Sequence, residues 1–159
     1  MKPPIPRNIP RLKPTKKITN PNTGTYFFGC IPEIAHCGID EGLIILKYGV
    51  HYGNNRGYGA AHIWAGHSAD IRKLGYAQDN PLDAIAQYIA DIIKPNTPIY
   101  WDSADLDGTY RLTVLSTAKG RVVLMSGEDE TGGRVHSIIT AYPKKTAMGT
   151  LVGVTKKVP

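Results

Sequence analysis

The stretch TYRLTVLSTAKGRVVLMS, residues 109–126, reads as two strands joined by a tight turn. Thr109–Ser116 and Arg121–Ser126 are rich in β-branched and aliphatic residues, and the few residues between them include Gly120. So short a connection implies antiparallel neighbours. Working outward, Pro98–Trp101 supplies a strand on one side and Arg134–Tyr142 a strand on the other, separated by turns around Gly108 and Gly132-Gly133. The reading is a four-stranded antiparallel meander.

Two helices precede it. AAHIWAGHSADIRKLG, residues 60–75, ends at Gly75 and gathers Ile63, Trp64, His67, Ile71 and Leu74 in one stripe at about 100° per residue. The second starts at Asn80-Pro81, with Asn80 as N-cap, Pro81 at the first helical position and Asp83 near the positive helix end. Its stripe is Leu82, Ile85, Tyr88, Ile89, Ile92 and Ile93, and Pro95 follows its end. Upstream, Leu43–Val50 reads as a short strand, HYGNNRGYG (51–59) as a glycine–asparagine loop, and Tyr26–Ile34 as an apolar edge segment. The expected fold class is α+β, with N-terminal helices packed on one face of a four- to five-stranded antiparallel sheet.

The chain of 159 residues suits one compact domain, long enough to bury a core without a metal or disulfide staple. Its longest candidate apolar run, Leu43–Leu46, is far below the ~20 residues of a membrane helix. The first twenty residues are basic and proline-rich rather than apolar, unlike a secretory signal, so a soluble domain is expected. The net charge of +6 is concentrated there: Lys2, Arg7, Arg11, Lys13, Lys16 and Lys17 precede the first acid, Glu33. The remaining 13 basic and 13 acidic residues cancel. Residues 1–22 are therefore expected to form a disordered basic arm or linker, and residues 23–159 a single domain. Cys30 and Cys37 have neither zinc nor redox spacing, which leaves one optional disulfide.

Strand alternation selects candidate chemistry. One face of Arg134–Tyr142 shows Arg134, His136, Ile138, Thr140 and Tyr142; one face of the 109–117 strand shows Arg111, Thr113, Leu115 and Thr117. Arginine, histidine, threonine and tyrosine on one surface can bind a phosphate, move a proton and stack a base. His62 and His67 are five residues apart, roughly 140° around a helix, and so do not make the i, i+4 pair of a zinc protease. His67 falls within the apolar stripe, where a core role competes with general acid–base work. His62 sits in the first turn, where helix amides favour an anionic ligand.

GYGAAHIWAGHSADIRKLGY, NPLDAIAQYIADIIKPNTPIY, RLTVLSTAKGRVVLMS and HSIITAYPKK, in that order, resemble the barnase/EndoU/colicin/RelE-like (BECR) nuclease superfamily. The nearest branch is that of phage-associated proteins and C-terminal toxin domains of contact-dependent inhibition and other polymorphic toxin systems. The resemblance spans about residues 43–145 and rests on the HIxxxH helix, the helix ending in Lys-Pro and the Thr-Ala-Tyr-Pro strand end. It implies a metal-independent endoribonuclease, often acting on tRNA, with no cofactor and with a cognate immunity protein. It also implies delivery within a larger secreted toxin and action in the target-cell cytoplasm, or an association with phage. Carried over residue by residue, it selects His62, His67 and Thr140 as catalytic and Tyr142 as substrate-binding. Arg111 joins the catalytic set, and His136 the substrate-binding set, from their strand faces. The carboxylate base of barnase-like members has no counterpart, so the base is left open. Two other classes remain: a catalytically inactive RNA- or protein-binding module, and an ADP-ribosylating toxin using Arg111, Ser116-Thr117 and the Glu128–Glu130 loop.

Overall fold

The second helix forms where its signals lie. Asn80 Oδ1 accepts the Asp83 amide at 3.3 Å, Pro81 opens the helix, and it runs Pro81–Ile92 (α2). Ala84, Ile85, Ala86, Tyr88, Ile89, Ala90 and Ile92 are all buried, so α2 is apolar nearly all round and sits inside the protein. Tyr88 is fully buried, and its hydroxyl donates to the Lys119 carbonyl at 3.2 Å, tying α2 to a turn of the sheet. The first helix, α1, runs Gly59–Lys73 and buries Ala60, Ala61, Ile63, Trp64 and Ile71.

The computed structural model describes residues 9–54, 56–76, 79–102, 111–147 and 149–159. Among them lie nine strands: β1 (Phe27–Ile31), β2 (Gly42–Ile45), β3 (Val50–Gly53), β4 (Arg56–Tyr58), β5 (Pro98–Asp102), β6 (Arg111–Ser116), β7 (Gly120–Glu128), β8 (Arg134–Tyr142) and β9 (Thr150–Val154). The meander β5–β6–β7–β8 is present and antiparallel throughout. Residues 103–110, including Asp105, Asp107, Gly108, Thr109 and Tyr110, lie outside the described residues.

The expected four- to five-stranded antiparallel sheet under helices is corrected. The protein is mostly sheet: a seven-stranded mixed half-barrel in the order β1-β2-β8-β7-β6-β5-β9, with two short helices and a separate β3–β4 hairpin. The difference arises at both ends of the meander. β2 joins β8 in parallel, pairing Ile44 with His136, and brings β1 with it. β9 adds antiparallel to β5. The outer edges then approach one another, where the Lys156 amide donates to the Cys30 carbonyl at 3.0 Å. That contact takes up edge groups that would otherwise be open to further pairing.

Two upstream readings also change. The strand expected over Leu43–Val50 is interrupted after Ile45, because the chain turns at Gly49 with φ +75°, where a side chain would overlap the Tyr58 carbonyl. The chain resumes as β3, so the expected 51–59 loop is a hairpin leading into α1. The arm expected over residues 1–22 is not free along its described part. Ile9 and Ile18 are buried, Leu12 packs on the same core, and residues 14–18 run beside 46–49. There the amides of Ile18, Tyr48 and Gly49 donate to the carbonyls of Leu46, Lys16 and Pro14 at 2.8, 2.7 and 3.0 Å. Three apolar side chains spaced among the prolines supply the burial that a purely polar arm would lack.

Leu112, Val114, Val122, Leu124, Ile138 and Ala141 share the core with α2. Between Val123 and Leu124 the β7–β8 register slips: Val123 faces Thr140 and Leu124 faces Ile138, so Ile139 is an extra, bulged residue. One inserted residue reverses the alternation. Thr140 and Tyr142 therefore stay on the face away from the core, while Ile138 and His136 turn into it.

Candidate active site

The bulge, the hairpin and α1 together enclose a cleft of about 460 Å³. Its walls are His51, Asn54 and Gly57 from the hairpin, His62, Gly66 and His67 from α1, and Arg111, Val123, Ile139, Thr140 and Tyr142 from the sheet. Five residues selected from sequence thus meet here: His62, His67, Arg111, Thr140 and Tyr142. The sixth, His136, does not. It is fully buried on the core side of β8, its Nε2–H donating to the Asp40 carbonyl at 3.1 Å, and its Nδ1 has no hydrogen-bond partner. Its expected substrate-binding role is corrected by the bulge at Ile139, which turns it away from Thr140. Burial holds its pKa below the ordinary histidine value.

His62 meets a partner the sequence did not offer. Its Nδ1 lies 3.0 Å from the Nδ1 of His51, with ring centroids 5.2 Å apart. Burial, with His51 and His67 nearby, depresses its pKa, so a neutral imidazole is favoured. The anion site expected from the α1 amides is partly used by the protein itself: those of Ala60 and Ala61 donate to the Lys47 and Tyr48 carbonyls at 3.0 and 2.8 Å.

His67 is half-buried at the edge of the helix stripe, neither a core residue nor a fully exposed one. Its Nδ1 is 3.3 Å from Asp70 Oδ2, and its ring stacks on Tyr142 with centroids 4.9 Å apart and planes 21° from parallel. Tyr142 is itself held by Arg121. That guanidinium is buried, donates to the Tyr142 hydroxyl and the Thr146 carbonyl at 2.8 Å each, and lies 4.8 Å from the ring centroid. The Tyr142 ring is therefore engaged by two protein groups, and its first effect is to orient His67. Arg111 is exposed at the rim, and Thr140 is half-buried on the wall.

Sequence reasoning missed His51 and Arg121. The first stood in a run read as loop; the second is the cross-strand partner of Tyr142, a pairing visible only once the β7–β8 register is known. Among the described residues the lining offers imidazole, guanidinium, hydroxyl and carboxamide groups and no carboxylate, and no three histidines, cysteines or acids are grouped to hold a metal. Cys30 and Cys37 are free thiols, and burial beside Glu41 pushes the Cys30 thiol pKa up. Ser116 and Glu128 of the alternative Arg–Ser–Glu reading stand at opposite ends of β7. Ser116 pairs with Gly120, whereas Glu128 lies eight residues further along β7, roughly 26 Å at the usual strand rise. No family model matches the chain, and neither does any curated protein or solved structure with which it was compared.

Proposed function

We propose that this chain is an endoribonuclease that cleaves RNA without a metal, by attack of the ribose 2′-OH on the adjacent phosphate. The observation that supports it is the convergence of His62, His67, Arg111, Thr140 and Tyr142, spread over eighty residues of chain, on one cleft. Such cleavage needs a base for the 2′-OH, donors for the crowded phosphorane and an acid for the departing 5′-oxygen. A neutral imidazole can take the first proton and a second imidazole can supply the last. Arg111 offers permanent positive charge to the phosphate and Thr140 a hydroxyl donor. The products are a 2′,3′-cyclic phosphate and a 5′-OH. The sequence resemblance extends the reading to a toxin domain acting on tRNA-class substrates, delivered within a larger protein and neutralised by a cognate immunity protein. Its BECR fold expectation does not carry over to this half-barrel, so the reading leans on the site residues.

Incubating the protein with total RNA in excess EDTA tests the reading. Fragments ending in cyclic phosphate are expected. Binding without cutting would favour the inactive binding module instead, and activity lost in EDTA and restored by magnesium would overturn the mechanism.

A further inference from the structure

Two imidazoles in contact through their Nδ1 atoms cannot hold the same neutral tautomer. One Nδ1 must carry the proton that the other accepts, so His51 and His62, 3.0 Å apart, share one proton. Each ring's second nitrogen follows from the first. The ring donating through Nδ1 keeps a bare Nε2; the accepting ring carries its proton on Nε2. A neutral pair therefore holds one proton acceptor and one proton donor, and both rings line the same cleft.

We propose that His51 is a catalytic residue of this site and that it works with His62 as a single proton relay, an inference that rests on the ribonuclease reading above. The ring with the bare Nε2 takes the 2′-OH proton as the 2′-oxygen bonds to phosphorus. It passes its own Nδ1 proton across the 3.0 Å contact to its partner. The partner gives its Nε2 proton to the 5′-oxygen as the P–O5′ bond breaks. One bond to phosphorus forms and one breaks; one proton enters the pair and one leaves. The pair stays neutral and ends with its tautomers exchanged.

The surroundings suit a neutral relay. Burial of His62 beside His51 and His67 disfavours a fixed imidazolium. The other ionisable groups on the cleft wall are His67, Arg111 and Tyr142, and Asp70 is engaged with His67. The contact also depends on Gly57 of β4: a Cβ there would lie 2.9 Å from His62 Nδ1 and 3.1 Å from His51 Cα. Any side chain at that position wedges into the pair.

The test uses the full chain and a short ribo-oligonucleotide under single-turnover conditions, with thermal melts to verify folding. His51→Ala and His62→Ala should each lose on the order of 10²–10⁴-fold in rate. The double variant should be no slower than the slower single variant, because the two residues act as a unit. His51→Asn can still hydrogen-bond to His62 but cannot pass a proton on, so it should be as slow as His51→Ala. On a substrate whose leaving 5′-oxygen is replaced by sulfur, which departs without a proton, one single variant should recover about 100-fold and the other should not. His51→Ala or His51→Asn within about threefold of the parent, losses that multiply in the double variant, or no rescue by sulfur would each overturn the relay. A parent that cuts no RNA overturns the ribonuclease reading and the relay together; a parent that cuts while His51→Ala matches it overturns the relay alone.

Discussion

Gly66 occupies the interior of α1, four residues after His62 and directly before His67, where glycine is a poor choice for a helix. Its cost there relative to alanine is about 1 kcal/mol, mostly backbone entropy. Nothing nearby requires a glycine: a Cβ built at Gly66 meets no atom within 4 Å. The position does border the cleft. The absent side chain therefore leaves room between the two histidines at a cost in stability. Gly66→Ala should stabilise the protein by about 1 kcal/mol, a rise of roughly 2–4 °C in Tm for a chain of this size. With only one carbon added to a cleft of about 460 Å³, RNA cleavage should persist. Gly66→Leu should melt no lower than the parent but place a branched side chain beside His62 and His67, displacing the substrate from its line of attack. A displacement near 1 Å costs on the order of 10²-fold in rate. Thermal melts and cleavage rates on the three chains separate the two effects. A Gly66→Ala chain that melts below the parent, or a Gly66→Leu chain that cuts at the parental rate, would contradict the role given to Gly66.

Three further outcomes follow from other parts of the fold. Ile18→Ala removes a buried side chain while leaving the amide bond to Leu46 in place, and should cost about 2–4 kcal/mol in urea unfolding with the m-value unchanged; a loss under about 0.5 kcal/mol would mean that residues 9–22 are a free arm after all. His136 is buried with its pKa below the ordinary value of 6.5, so the folded state binds fewer protons than the unfolded one. Stability should fall as pH drops below that value, and His136→Gln should flatten the acid limb in melts from pH 7 to 4; an unchanged limb would contradict the assignment. Tyr142→Leu removes the ring that orients His67 and the acceptor of the buried Arg121, so it should lower both the cleavage rate and Tm, whereas Tyr142→Phe keeps the stacking and should retain most activity; equal losses in both variants would make the hydroxyl, not the ring, the functional part.

The two helices were legible because their signals are local. Asn80, Pro81 and Asp83 mark a start that needs no tertiary knowledge, and Gly75 ends α1 with φ +92°. The meander was legible for the same reason, since short turns force neighbouring strands to pair. What escaped was non-local. The β2–β8 pairing joins residues about ninety positions apart, and nothing in FFGCI or TLVGV says where β1 or β9 will dock. The bulge at Ile139 is one residue long, yet it moves His136 from the expected surface to the core. His51 lay in a run of glycine and asparagine that reads as loop, because its strand character comes from pairing with Gly57 rather than from propensity. His62, His67, Thr140 and Tyr142 were selected through the resemblance and Arg111 from its strand face; that one cleft gathers all five is a tertiary fact that no local pattern in the sequence announces.

Digestion, in excess EDTA, of a DNA oligonucleotide that contains a single ribonucleotide decides whether the ribose 2′-OH is the nucleophile. A 2′-OH nucleophile predicts one cut, immediately 3′ to that ribonucleotide, leaving a 2′,3′-cyclic phosphate on one fragment and a 5′-OH on the other, with the His62→Ala chain cutting slower by on the order of 10²–10⁴-fold. Cleavage at deoxyribonucleotides, a requirement for added magnesium, or equal cutting by His62→Ala would contradict it.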